Sequence, residues 1–173
     1  MRLLDRLGEV AAQLEQCGGF EESIKTLLIP TLNFYLNHPT LEVKEQAGRE
    51  LARLANHLND KDRGDYVLKH VIEMAHDDEV EENRIVAVQL FGSMSECFGQ
   101  GLCEQFIGLE MLSLGEDLSL KVRKEAVKHL PIIARLVNPQ FFGRLFDFYQ
   151  GKCGDNSNWV VRKACVDILL PMS

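Results

Sequence analysis

Leu120-Lys121-Val122-Arg123-Lys124-Glu125-Ala126 carries a valine, a base and a small residue whose spacing returns along the chain. Aligning Val43, Asn83, Val122 and Val161 gives gaps of 40, 39 and 39 residues. A period near 40 is that of two-helix solenoid units. The next position reads Lys44, Arg84, Arg123 and Arg162, always basic. Four steps on it is always small, at Ala47, Ala87, Ala126 and Cys165. Eight steps on come Leu51, Phe91, Leu130 and Leu169, and eleven steps on Leu54, Met94, Ile133 and Met172. Apolar or small residues at offsets 0, 4, 8 and 11 trace one face of a helix, so each copy marks the second helix of a repeat.

The bulk properties fit such a chain and exclude several alternatives. Its 173 residues, 46% hydrophobic and 26% charged, suffice for one domain with a sizeable core. No apolar run approaches the roughly 18 residues of a membrane span, and Met1-Arg2-Leu3-Leu4-Asp5-Arg6 does not read as a secretion signal. Five cysteines without a C-x-x-C pair indicate neither a zinc site nor a closed disulfide framework, and a reducing compartment follows. A net charge of −7 argues against general phosphate-backbone binding and leaves room for a local basic patch.

In chain order, Leu3, Leu7, Ala11 and Leu14 continue the register backwards, so residues 1–19 read as the second helix of a partial repeat ending at Gly18-Gly19. Four repeats follow at 20–60, 61–99, 100–138 and 139–173. The first has helices over Phe20–Leu36 and Leu41–Leu58, with a kink expected at Pro30. In the second, Asn59 to Gly64 reads as a linker, the first helix spans Asp65 to His76, Asp77-Asp78-Glu79 is the turn, and the second helix runs to Phe98. The third has Phe106, Ile107, Met111 and Leu114 as the buried face of its first helix, a turn at Gly115-Glu116-Asp117, and a bend expected at Pro131. The fourth opens at Asn138-Pro139, with Phe142, Leu145, Phe146 and Tyr149 as the expected buried face and residues 151–158 as the turn. Its second helix stops short of the length of the others, which predicts a fragment of a longer solenoid.

Lys44, Arg84, Arg123 and Arg162 are expected to bond turn acids such as Asp78, Glu116 or Asp117, and Asp155, the acid of one repeat reaching the base of the next and setting the stacking. An exposed pair of this kind contributes only about 0 to 1 kcal/mol, so its effect would be geometric. Asp77, Asp78, Glu79, Glu81 and Glu82 suit a helix N-terminus, with an acidic docking ridge as the alternative. They lack the glycine and distal glutamate of a calcium loop. Trp159, the single tryptophan, stands at a turn, where an aromatic side chain either anchors an interface or packs on its own repeat. With Asp78, Asp117, Asp155 and Asn156 it makes up the candidate partner-binding turns. No His-Glu dipeptide, phosphate loop or nucleophile elbow occurs, and Cys103 reads as structural. No catalytic, cofactor or metal site is expected.

Residues 158–165, residues 120–126, His76-Asp77-Asp78, Val86 to Leu90 and Leu102 to Phe106 resemble the HEAT repeats of phosphatase scaffolds. These are the A subunit of protein phosphatase 2A and, more closely, regulatory subunit 1 of protein phosphatase 4. The resemblance covers residues 38–173 and implies an all-α superhelix of four HEAT repeats plus one N-terminal helix. It further implies a non-catalytic cytoplasmic protein, also placed in the nucleus, whose turns hold a Ser/Thr phosphatase catalytic subunit or another regulatory subunit. Through the W-x-V-R-x-A turn it carries over Trp159 and Arg162, with Asp78 and Asp117 from the other turns. Asn83, in a valine slot, departs from the pattern. The different-class alternative is a transport receptor or adaptor that binds peptides along its second helices.

Overall fold

The computed structural model describes residues 20–154 and 158–169, with Val10 and Gln13 nearer the N-terminus. Most of the expected N-terminal helix, the candidate residues Asp155 and Asn156, and Met172 lie outside the described residues. Among the described residues every regular element is helical. Phe20–Ser23, Ile24–Leu28 and Ile29–Leu36 together form α1, and α2 is Leu41–Ala55. Asp60–Asp62, Arg63–Leu68 and Lys69–Ala75 form α3, and α4 is Glu81–Leu102. Cys103–Ile107 and Gly108–Leu114 form α5, followed by α6 (Leu120–Ala134), α7 (Pro139–Gly154) and α8 (Trp159–Leu169). The odd-numbered helices are the first helices of repeats one to four, and the even-numbered ones are the second. The fold class is an all-helical repeat solenoid.

The chain divides into two compact units, Met1–His76 and Asp77–Ser173, and the boundary falls between the two helices of the second repeat. Within each unit the repeat register is the burial register. Ala47, Ala87, Ala126 and Cys165 are all 0% exposed, and the positions four and seven residues beyond the first three are buried as well. The small column lets helices approach closely while the larger residues beside it fill the gap.

The first helices of repeats one to three share a feature absent from the sequence reading. Each contains a π-helical turn, at Ile24–Leu28, Arg63–Leu68 and Cys103–Ile107, closed by an amide bonding five residues back. Ile24, Leu28, Leu32 and Leu36 explain why: a buried stripe with a constant spacing of four drifts off a 3.6-residue helix, and one wider turn restores it. Pro30 comes directly after such a turn, in the first turn of Ile29–Leu36, where a missing amide is tolerated. Pro131 lies near the end of α6, which continues through it to Ala134. The second helix of repeat two breaks at Gly99, where the sequence places its end, with a φ of 72° and ψ of 175° that suit glycine.

Three sequence expectations change. Asn59 to Gly64 is no linker, because the Asn59 side chain caps α3 by accepting from the Asp62 amide at 3.0 Å. The helix α7 runs on to Gly154, into the stretch expected as the last turn. On α5 the expected Ile107, Met111 and Leu114 are buried and Phe106 is not; on α7 the expected Leu145 is buried, but the rest of the buried face is rotated. Phe106, Phe142 and Phe146 are 44%, 45% and 46% exposed and Tyr149 is half-buried, while Cys103, Phe141 and Leu145 are buried.

Two glycines at α5 supply the reason. A Cβ on Gly108 would stand 2.5 Å from the Phe141 ring, and one on Gly115 would stand 2.3 Å from the Phe148 ring. Glycines seven apart on one helix receive phenylalanines seven apart on the next, and this docking selects the face of α7 that is buried. Gly108→Ala should therefore lower the thermal midpoint through an overpacking cost of about 1 to 3 kcal/mol. Gly143→Ala, where an added Cβ meets nothing within 4 Å, should leave it unchanged or raise it.

Candidate partner-binding ridge and its supports

In the 77–173 unit the described part of the candidate ridge is the turn that precedes α6 and the start of α8. Asp117 organises the first of these. Its Oδ1 accepts from the Ser119 amide at 2.7 Å, closing the turn, and Ser119 in turn accepts from the Lys121 amide as the cap of α6. The same carboxylate receives Arg84 of the preceding repeat, from Nε at 2.7 Å and Nη2 at 3.1 Å. Arg84 also donates from Nη1 to the Asp77 carbonyl at 2.7 Å. One guanidinium thus holds the end of its own turn and the acid of the next. The bidentate hydrogen bond to Asp117 raises the Arg84 pKa above its ordinary value.

The direction differs from the expectation, since the base of one repeat reaches the acid of the following one. Arg123 donates to the carbonyls of Asp117 at 2.6 Å and Leu118 at 2.9 Å, so it fastens its own turn. Lys44 is buried and Arg162 half-buried.

Asp78 is exposed, and it is the carboxylate of its neighbour Asp77 that organises this turn. Asp77 Oδ1 accepts from the amides of Glu79 and Val80, at 3.0 and 2.9 Å. Its Oδ2 accepts from Asn83 Nδ2 at 2.7 Å. The cap position here is Val80, which has no side-chain acceptor, and Asp77 serves instead. Asn83 fills the valine slot for that reason: buried to 6% exposure, it pins the substitute cap.

The acid-rich stretch also bridges repeats. Glu81 accepts from Lys121 Nζ at 2.8 Å and from the Ser119 hydroxyl. Lys121 first and Ser119 second hold the Glu81 carboxyl below the usual carboxylate range. At the other end of the unit, Glu104 accepts from the Asn138 amide and from Asn138 Nδ2, both at 2.7 Å, while Asn138 caps α7 through the Phe141 amide at 2.8 Å. Lys152 reaches Glu116 at 2.6 Å. The 1–76 unit repeats the Glu-Asn device, with Asn59 donating to Glu21 at 2.6 Å, and adds Lys25 with Asp62 at 3.0 Å.

Beside exposed polar residues such as Glu116 and Asn158, two large apolar side chains stand outward at these positions. Trp159 is 65% exposed at the start of α8, and Leu118 is 99% exposed in the turn before α6. Sequence reading missed Leu118, although its setting was visible, since a leucine between Asp117 and Ser119 is at odds with a polar turn. Cys103 is buried and donates to the Ser95 carbonyl at 3.3 Å, and burial pushes its pKa up to about 11, the opposite of an activated thiol. A shallow pocket of about 270 Å³ between the starts of α5 and α7 is lined by Glu104, Asn138, Phe141 and Arg144 among others. Its acid already accepts from Asn138. Among the described residues no group of three or more His, Cys, Asp or Glu is placed to hold a metal ion, and no helix is long and apolar enough to cross a membrane.

The arrangement defines a helical-repeat protein with polar-braced turns. A designed armadillo repeat protein, solved in complex with the peptide (KR)4, shares the fold with a TM-score of 0.52 and 24% identity, over 95% of this chain and 74% of that one. No family model matches the chain, and no curated protein matches it.

Asp117→Ala should lower the unfolding free energy in urea by about 1 to 3 kcal/mol, because it strands Arg84 and opens the turn. Asp78→Ala should change it little. The pH dependence centres on Glu125, held down to about 2 chiefly by its hydrogen bond to His129 and secondarily by Lys128. A depressed carboxylate stabilises fully above its ordinary value of 4.5, and that contribution disappears as pH falls through about 2. Glu125→Gln should therefore melt below the parent at neutral pH and converge with it as pH drops across that window.

Proposed function

We propose that the protein is a non-catalytic scaffold whose turn ridge in repeats three and four binds a protein partner, a Ser/Thr phosphatase catalytic subunit or another regulatory subunit of such an assembly. The observation that carries the reading is the pairing of Leu118 and Trp159, 99% and 65% exposed, at the same end of consecutive second helices. Isolated exposed apolar residues are ordinary, and burying one completely gains about 1.5 to 3 kcal/mol. Two of them presented on consecutive turns are suited to an interface core, and tryptophan is enriched among the residues that dominate such cores. The phosphatase partner rests on the resemblance of the W-x-V-R-x-A turn, here Trp159 to Ala164. The cytoplasm is the proposed location.

A second reading, a peptide receptor using its second helices, is favoured by the armadillo repeat neighbour, which is solved with a peptide. The two readings use different surfaces and separate in one experiment. Trp159→Ala and Leu118→Ser should each weaken capture of a Ser/Thr phosphatase catalytic subunit by about 2 kcal/mol, roughly 30-fold, in titration calorimetry, with melting curves unchanged. Full retention of binding by both variants would overturn the ridge reading.

A further inference from the structure

Along α6 the bases Lys121, Lys124, Lys128 and Arg135 occupy exposed or half-exposed positions, the last just beyond the helix end. Spacings of three, four and seven set them in one stripe, about 21 Å long at 1.5 Å per residue. On α8, 39 residues after Lys124, Lys163 occupies the same repeat position. The corresponding positions of α4 are Glu82, Ile85, Gln89 and Glu96, without a base. The stripe is thus a local reversal within a chain of net charge −7.

The pairing of these bases is uneven. Lys121 is engaged by Glu81 at 2.8 Å, Lys128 by Glu125 at 2.7 Å and Lys163 by Asp167 at 3.2 Å. Among the described residues no carboxylate lies within ion-pair distance of Lys124 or Arg135. Half-buried Ile132 lies between them along the helix, and 54% exposed Val166 stands on α8, so apolar surface is interleaved with the charge.

We propose that this face of α6 and α8 docks an extended acidic peptide segment, with Lys124 and Arg135 as its principal contacts and Lys121, Lys128 and Lys163 recruited by exchange of their present partners. Charge complementarity selects the occupant. A stripe of about 21 Å matches about six extended residues, and alternate carboxylates on one side of such a chain face the bases. Nucleic acid fits less well: the flanking Glu81, Glu125 and Asp167 and the overall negative charge repel a long phosphate backbone. The proposal develops the peptide-receptor reading and is independent of the phosphatase reading.

The test is fluorescence anisotropy on the intact chain with a labelled alternating Glu-Ser peptide, the matching Lys-Ser peptide and an oligothymidylate of equal charge. The Glu-Ser peptide should bind saturably and more weakly as salt rises, and should bind more tightly than either control. Replacing Lys124, Lys128 and Arg135 together by Glu should weaken it by roughly tenfold or more, and by Gln several-fold. Lys61→Glu, an exposed change in the other unit, should leave it unaltered. Absence of saturable binding, equal affinity for the folded Gln variant, or tighter binding of the oligonucleotide would each overturn the proposal. The measurement involves no phosphatase, so its failure leaves the ridge reading standing.

Discussion

The carboxylate of Asp117 is the point on which the 77–173 unit turns. It closes the bend between α5 and α6 through the Ser119 amide and takes the Arg84 guanidinium of the preceding repeat in a bidentate grip. With side chains only 13% and 10% exposed, the pair is shielded enough for its geometry to matter. Because Arg84 simultaneously bonds the Asp77 carbonyl, the two turns are linked through a single rigid fork. The consecutive turns are thereby tied to one another by hydrogen bonds from one planar group.

Around that pair, polar bracing and apolar docking divide the labour. Glu81 with Ser119 and Lys121 joins the turn ends of α4 and α6. Glu104 with Asn138 joins the starts of α5 and α7, and Glu21 with Asn59 does the equivalent for α1 and α3 in the other unit. In both Glu-Asn pairs the asparagine is already a helix cap, so the acid of one repeat fixes the point where the next begins. Between these braces, the phenylalanines of α7 dock on the glycines at α5 and determine rotation about the helix axis. The braced turn at Asp117 can hold Leu118 outward without requiring it to pack at home.

Much of the scaffold was legible in the repeat columns because their residue types report burial directly. A small residue every 39 or 40 positions, flanked by large apolar ones at helical spacing, leaves one consistent way to pair helices. The face of α7 was not legible in the same way. Phe141, Phe142, Leu145, Phe146 and Phe148 place large apolar side chains all round α7, and the selection among them rests on glycines more than 30 residues away. Likewise Asp77 and Asp78 are chemically equivalent in sequence, and the absence of a side-chain cap at Val80 is what assigns the role to Asp77.

The sequence by itself determined the helical repeat, its period, the small and apolar core columns, and the presence of a base at the head of every second helix, because each of these is a local or periodic property. Tertiary structure decided which acid each base meets. It placed Arg84 on Asp117 of the following repeat and turned Arg123 back onto its own turn, because a base at the head of a helix has acceptors on both turns and only their folded positions choose between them. It also decided that Leu118 joins Trp159 at the surface, since exposure depends on what neighbouring repeats leave uncovered.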